Sequence, residues 1–195
     1  DLWRWNDDYV QPIQKVRATQ DRNRSYRGVL DLATKRYTQL ADPTLAQVSL
    51  NDDGTRAIGQ DDRAYRRRSD YGGRYSDAYL VDAATGARRE VLKQFRGLAP
   101  QWSPDGRWAA YYTEKHWHVI DTASGATRNL TAKLQPAFWN EQDDRPEPPS
   151  AYGTAGWTKD SASFLAYDRF DIWQLFADGR APLNLTAGHG RATQT

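Results

Sequence analysis

Few side chains in this 195-residue chain have the chemistry for catalysis or metal binding. There are three histidines, His116, His118 and His189, and neither cysteine nor methionine. The lack of cysteine excludes thiolate nucleophiles and disulfides. His116 and His118 flank Trp117, so on a strand both rings point to one face. Two histidines so placed can share a metal ion. No third ligand lies near them in the sequence, so no metal site is assigned. Peptide hydrolysis through serine needs an activated nucleophile, a base and oxyanion donors. The Gly-x-Ser-x-Gly elbow that presents such a serine on a strand-to-helix turn does not occur in the sequence. Ser103 precedes Pro104-Asp105-Gly106, a hairpin that offers no oxyanion hole. No catalytic residue and no cofactor are therefore expected.

The acidic side chains offer binding rather than catalysis. The stretch from Lys133 to Gly153 reads KLQPAFWNEQDDRPEPPSAYG. Two acids two apart in a loop, Glu141 and Asp143, are a poor match to the paired carboxylates of glycoside hydrolysis. Carboxylates there can instead pair with a peptide's amino terminus. Glu141, Asp143 and Asp144 are accordingly the substrate-contact candidates. The competing reading is a solvated connector, although a long proline-rich connection inside a compact array is usually functional or disordered. Asn51-Asp52-Asp53-Gly54 lacks the spaced ligands and distal glutamate of a calcium loop, and reads as a turn. Asn23, Asn129 and Asn184 begin Asn-x-Ser/Thr sequons; the repeated Asn-Leu-Thr is explained by repetition rather than by glycosylation.

The stretch from Gln60 to Tyr75, QDDRAYRRRSDYGGRY, interleaves arginine with tyrosine, as a single-strand nucleic-acid site would. The chain carries 27 basic and 25 acidic residues, a net charge of +2, so nucleic acid and anionic membrane are not expected partners. The arginines are expected to pair with Asp61, Asp62 and Asp70. No apolar run is long enough to span a bilayer.

The elements that would position these residues follow from a repeat. From Ala99 to Ala132 the sequence alternates short runs rich in Trp, Tyr, Val, Ile and Thr with turns at Pro104-Asp105-Gly106, Glu114-Lys115 and Ala123-Ser124-Gly125. That is a four-stranded antiparallel meander. Asp105-Gly106 has counterparts at Asp53-Gly54 and Asp160-Ser161, and HVIDTASGATRNLT has counterparts beginning at Gly28, Tyr79 and Ile172. From Asp105 to Asp121 is 16 residues, as from Asp160 to Phe176, whereas Asp53 to Asp82 is 29, an insertion of 13. One such sheet cannot bury both faces alone and must stack on copies of itself, which predicts a β-propeller; an irregular β-sandwich is the competing architecture.

The expected fold is therefore all-β, an incomplete propeller of about three and a half blades. The chain is read as one array over residues 1–195, with blades near 1–43 (partial), 45–96, 98–133 and 154–187 and an acidic, proline-rich insertion at 133–153. Leu2 to Trp5 is expected as a strand. Tyr9, Val10, Ile13 and Val16 fall at helical spacing with Pro12 in the first turn, which predicts one short amphipathic helix within Tyr9 to Arg24. Trp102, Trp108, Tyr111, Trp157 and Tyr167 are expected between sheets. Without an initiating methionine, the chain is expected to belong to a longer protein, and its open blade faces are expected to drive self-association.

Trp102-Ser103-Pro104-Asp105-Gly106 with Asn129-Leu130-Thr131 resembles the propeller repeat of TolB and of the prolyl oligopeptidase family of serine peptidases. An ordered set of longer stretches resembles bacterial peptidases of that family. They are Leu2-Trp3-Arg4-Trp5, Gln11-Pro12-Ile13-Gln14, Gln39-Leu40-Ala41-Asp42, Phe138-Trp139-Asn140-Glu141, the run from Ala151 to Trp157 and the run from Tyr167 to Trp173. The resemblance implies a propeller that gates and orients peptide substrates for a C-terminal α/β-hydrolase domain of the same parent chain. That hydrolase domain would bear the catalytic triad, none of whose residues has a counterpart here. It also implies a periplasmic or secreted location. The alternative is a non-catalytic TolB-like propeller for protein–protein interaction.

Overall fold

The computed structural model describes residues 4–68, 73–97 and 99–194. Among them the fold is all-β apart from two helices and a 3₁₀ turn, with three four-stranded antiparallel sheets and one two-stranded sheet. Each four-stranded sheet is a meander in chain order, the blade that the repeat predicts. The residues form two compact units, Asp1–Leu50 with Gly54–Arg96, and Asn51–Asp53 with Gly97–Thr195.

The first unit begins with α1 (Gln11–Arg22), whose Pro12 stands in the first turn and Arg22 in the last. Both suit their ends: proline lacks only an N–H that would have no partner there, and a cation complements the helix C-terminus. α1 buries none of its residues, and Val16 is 84% exposed. The apolar stripe that marks this helix in the sequence is therefore not a packing face. Leu2 and Trp3 lie outside the described residues, and Trp5 lies in a turn rather than a strand. β1 (Gly28–Asp31) pairs with β2 (Arg36–Gln39). β3 (Gln47–Leu50), β4 (Arg56–Asp61), β5 (Tyr75–Asp82) and β6 (Arg88–Arg96) form the next sheet, with the 3₁₀ turn Arg63–Arg68 inserted between β4 and β5.

The second unit holds β7 (Gln101–Trp102), β8 (Trp108–Thr113), β9 (His116–Asp121) and β10 (Thr127–Asn129). A second meander follows, of β11 (Thr154–Trp157), β12 (Ser163–Tyr167), β13 (Ile172–Phe176) and β14 (Leu183–Asn184), and then α2 (His189–Thr193). Turn chemistry sets the strand ends. Ser103 Oγ donates to Asp105 (2.6 Å) and accepts from the Trp108 N–H (2.9 Å). Glu114 and Lys115 both take positive φ, 49° and 69°, as a two-residue hairpin turn requires. Asp121 accepts from the Ala123 and Ser124 N–H groups, and Asp31 and Asp82 close the same turn in their sheets. Asn129 accepts from Thr131 N–H, as Asn184 does from Thr186 N–H. The repeated Asn-Leu-Thr is thus a strand-ending Asx turn.

Strand alternation then builds the core. Trp108 and Ala110 of β8 with Trp117 and Val119 of β9 share one face. They cluster with Phe164 and Ala166 of β12, Leu175 of β13 and Leu130. Phe164 is the centre: its ring lies 4.8 Å from Trp117 and 5.4 Å from Trp157. The first unit makes the same joint. Val29 and Leu40, at the β1–β2 sheet, pack with Ala57, Val81 and Ala83 of the next sheet. The positions correspond: Leu40 is nine residues after Asp31, as Leu130 is after Asp121, and Ala57 is four after Asp53, as Phe164 is after Asp160. Trp108 and Trp157 belong to the joint as expected. Tyr111 is also buried, on the opposite face of β8, stacked on His118. Tyr167 likewise pairs with Ile172 on the face of β12 away from Phe164.

Candidate functional site

The insertion between β10 and β11 is an anchored excursion. Phe138 is buried in the core of the second unit, edge-on to Trp173 at 6.1 Å. Trp139 bridges Ala151, Asn140 N–H donates to Ser150 O (2.8 Å) and Tyr152 N–H donates to Phe138 O (3.1 Å). These bonds zip the two ends of the stretch together. Tyr112 Oη adds a bond to Pro149 O (3.0 Å), and burial pushes its phenol up to about 12. The Lys115 ammonium covers the Trp139 ring at 5.0 Å.

Residues 141–148 form the tip. It gathers the three expected contact residues on one exposed loop, Glu141 and Asp144 being exposed and Asp143 half-buried. Arg145 grips Asp143 through two bonds, Nε to Oδ1 at 2.8 Å and a terminal nitrogen to Oδ2 at 2.6 Å. The guanidinium holds the Asp143 carboxyl down at about 2. Glu141 and Asp144 thus present exposed carboxylates, whereas the Asp143 carboxylate is already held by Arg145.

His116 and His118 share a face of β9, 6.4 Å apart and edge-on. His116 Nδ1 meets Thr131 Oγ1 at 3.1 Å. Burial, and then the neighbouring His116, lower His118 to about 4. Among the described residues no three metal-ligating side chains come together.

The arginine-rich insertion is tied down by carboxylates. Arg63 pairs with Asp61 (2.8 Å), and Arg66 with Asp62 (2.9 Å) and Asp8 (3.2 Å). Asp70 lies outside the described residues. Arg17 of α1 and Arg24 just beyond it join Asp61, Asp62, Arg63 and Arg66 around a shallow cleft. Tyr9 lies under Arg17 and bonds Asp62 at 3.4 Å. Sequence reasoning treated these two insertions separately and missed that they meet.

It also missed a buried acidic node. The Asp168 carboxylate accepts from the N–H groups of Phe170 and Asp171 (both 2.7 Å), from Trp173 Nε1 (3.0 Å) and from Arg191 (3.1 Å). Asp171 accepts from Thr186 Oγ1 and Gly190 N–H. Together they tie the β12–β13 turn to β14 and α2. The only sequence signal was the run from Tyr167 to Trp173, without a role attached.

No protein-family model matches the sequence, and no curated protein matches it. Solved structures do. TolB from Acinetobacter baumannii is 16% identical, with a TM-score of 0.43 over 84% of this chain and 39% of its own. An oligogalacturonate lyase in complex with manganese is 16% identical, with a TM-score of 0.46 over 82% of this chain and 46% of its own. A puromycin hydrolase variant is 16% identical, with a TM-score of 0.39 over 76% of this chain and 22% of its own. The chain spans less than half the length of each of these three. Among the described residues no helix is long and apolar enough to cross a membrane.

Proposed function

We propose that the chain is the non-catalytic propeller portion of a prolyl-oligopeptidase-like serine peptidase. It gates and orients peptides for a hydrolase domain of the same parent chain, in the periplasm or outside the cell. The observation that carries this reading is the zipped insertion. Its anchor, Phe138-Trp139-Asn140, and its return, Ala151-Tyr152, are motif stretches of the family resemblance, and between them they hold a carboxylate-bearing tip in a fixed place. A preorganised tip loses little entropy when it captures a ligand. Glu141 and Asp144, with Asp143 after exchange from Arg145, attract a peptide's ammonium terminus, while the blades exclude larger substrates. A TolB-like propeller for protein partners is the second reading, since the repeat motif from Trp102 to Gly106 resembles both families alike.

The test is kinetic and uses the full-length parent. The triple variant Glu141→Gln, Asp143→Asn, Asp144→Asn should raise KM for peptides with a free amino terminus about 2- to 10-fold, the effect of losing two or three exposed charge pairs. It should leave kcat unchanged and leave N-acylated peptides unaffected. Equal KM for the parent and the variant on free peptides would make the tip a connector.

A further inference from the structure

The arginine-rich insertion after β4 and the helical segment before β1 meet over a cleft that lies wholly within the first unit. Arg17, Arg24, Arg63 and Arg66 line it together with Asp61 and Asp62. Three of the four guanidiniums are hydrogen-bonded to carboxylates. Arg24 bonds Asp21. Arg63 grips Asp61 through Nε (2.9 Å) and a terminal nitrogen (2.8 Å). Arg66 bonds Asp62 (2.9 Å) and reaches Asp8 (3.2 Å). Arg17 differs. Its Nε is buried and has no hydrogen-bond partner among the described residues. Asp21 approaches that atom only to 3.7 Å and is already bonded to Arg24.

A guanidinium carries five N–H donors and keeps its charge at any ordinary pH, and a buried donor without a bond costs stability. Core packing does not impose this placement, since α1 buries none of its residues. Tyr9 does: the Arg17 guanidinium lies over its ring at 4.6 Å. Arg66 lies over the same ring at 5.6 Å, and the Tyr9 hydroxyl donates to Asp62 at 3.4 Å. The cation is thus held in place before any ligand arrives, which lowers the entropy cost of capture. The Arg17 side chain keeps 29% exposure. With Nε buried, its terminal nitrogens are the donors that a ligand in the cleft can reach.

The charges fix the ligand's class. Arg24, Arg63 and Arg66 are each bonded to a carboxylate, and Arg17 is left to share Asp21 with Arg24. One negative charge matches one guanidinium in that state, whereas a dianion would bring a second charge up against Asp61 and Asp62. A carboxylate also fits the planar fork of arginine. The Gln47 amide lines the same cleft and offers two more donors. We propose that this cleft binds a carboxylate monoanion, held by Arg17 on the Tyr9 ring. The end of a peptide chain and a small organic acid both carry that group. The proposal is independent of the peptidase reading and uses no residue of the acidic tip.

Arginine modification by phenylglyoxal, read by peptide mapping of the 195-residue chain, tests it at the site itself. Acetate, and an N-acetylated dipeptide with a free carboxyl terminus, should slow modification of Arg17 saturably, about tenfold at about ten times the Kd. Arg36 is exposed on β2 and outside the cleft, and at constant ionic strength its rate should not change. The C-terminal amide of the same dipeptide should not protect Arg17. Protection by the dipeptide acid at lower concentration than acetate supports the proposal with chain ends as the ligand; otherwise protection supports it with small acids as the ligand. Four results would each overturn it: an Arg17 rate that neither carboxylate changes, an amide that protects as well as the acid, Arg36 slowed in parallel with Arg17, or inorganic phosphate protecting at lower concentration than both carboxylates.

Discussion

Replacing Phe164 with alanine tests the blade joint at its centre. The side chain is fully buried between the rings of Trp117 and Trp157. Truncating a buried phenylalanine costs about 3–5 kcal/mol in lost transfer energy and residual cavity. The two tilted ring contacts, each about 0.5–1.5 kcal/mol beyond area burial, place Phe164 toward the upper part of that range. At about 2–4 °C per kcal/mol for a domain of this size, a loss of about 4 kcal/mol lowers Tm by about 8–16 °C. Urea titration followed by tryptophan fluorescence reads the effect directly, because Trp117 and Trp157 report on the site itself. Val16→Ala is the control. That side chain is 84% exposed, and its loss should change stability by less than about 0.5 kcal/mol. Phe164→Leu should fall between them, at about 1–1.5 kcal/mol, since it keeps most of the apolar volume. A Phe164→Ala loss below about 1 kcal/mol would refute the packing of these two sheets through Phe164.

Two further outcomes follow from the buried polar groups. His118 titrates at about 4 in the folded chain against an ordinary 6.5, so between those values the unfolded chain binds more protons. Stability should therefore rise as pH increases from about 4 to 6.5 and stay level above. Solvent screening of this half-buried ring reduces the gain to about 1–2 kcal/mol. Urea midpoints measured across that range should show the slope, and His118→Gln should flatten it; an equal slope in the variant would assign the effect elsewhere. Asp168→Ala strips the acceptor from two backbone N–H groups and from Trp173 Nε1, and should cost about 2–4 kcal/mol. An unchanged urea midpoint would show that these donors find other partners.

Local chemistry was legible in the sequence, and long-range closure was not. Pro104-Asp105-Gly106 and Ala123-Ser124-Gly125 placed the strand ends within a residue or two, because turns are decided by the residues that make them. Alternation put His116 and His118 on one face for the same reason. It also shows why Tyr111 and Tyr167 are not equivalent positions. The repeat aligns Tyr167 with Tyr112 and not with Tyr111, and a shift of one residue along a strand changes the face. The helix at α1 was legible from its spacing, but spacing does not say whether an apolar stripe is buried, and Val16 stays exposed. The bridge from Trp139 to Ala151, the grip of Arg145 on Asp143 and the meeting of α1 with the arginine turn depend on tertiary placement, which no short motif encodes.

Whether the chain is a scaffold without hydrolytic machinery is tested most directly by a serine-reactive fluorophosphonate. Ser103, on the one serine turn shared with the family motif, is buried, with its hydroxyl held between Asp105 and the Trp108 N–H. Its hydroxyl proton goes to a turn carboxylate rather than to a histidine base. The isolated chain should form no adduct by intact mass and should hydrolyse a peptide ester no faster than buffer. Stoichiometric labelling of one serine, with ester hydrolysis lost in step, would contradict the non-catalytic reading.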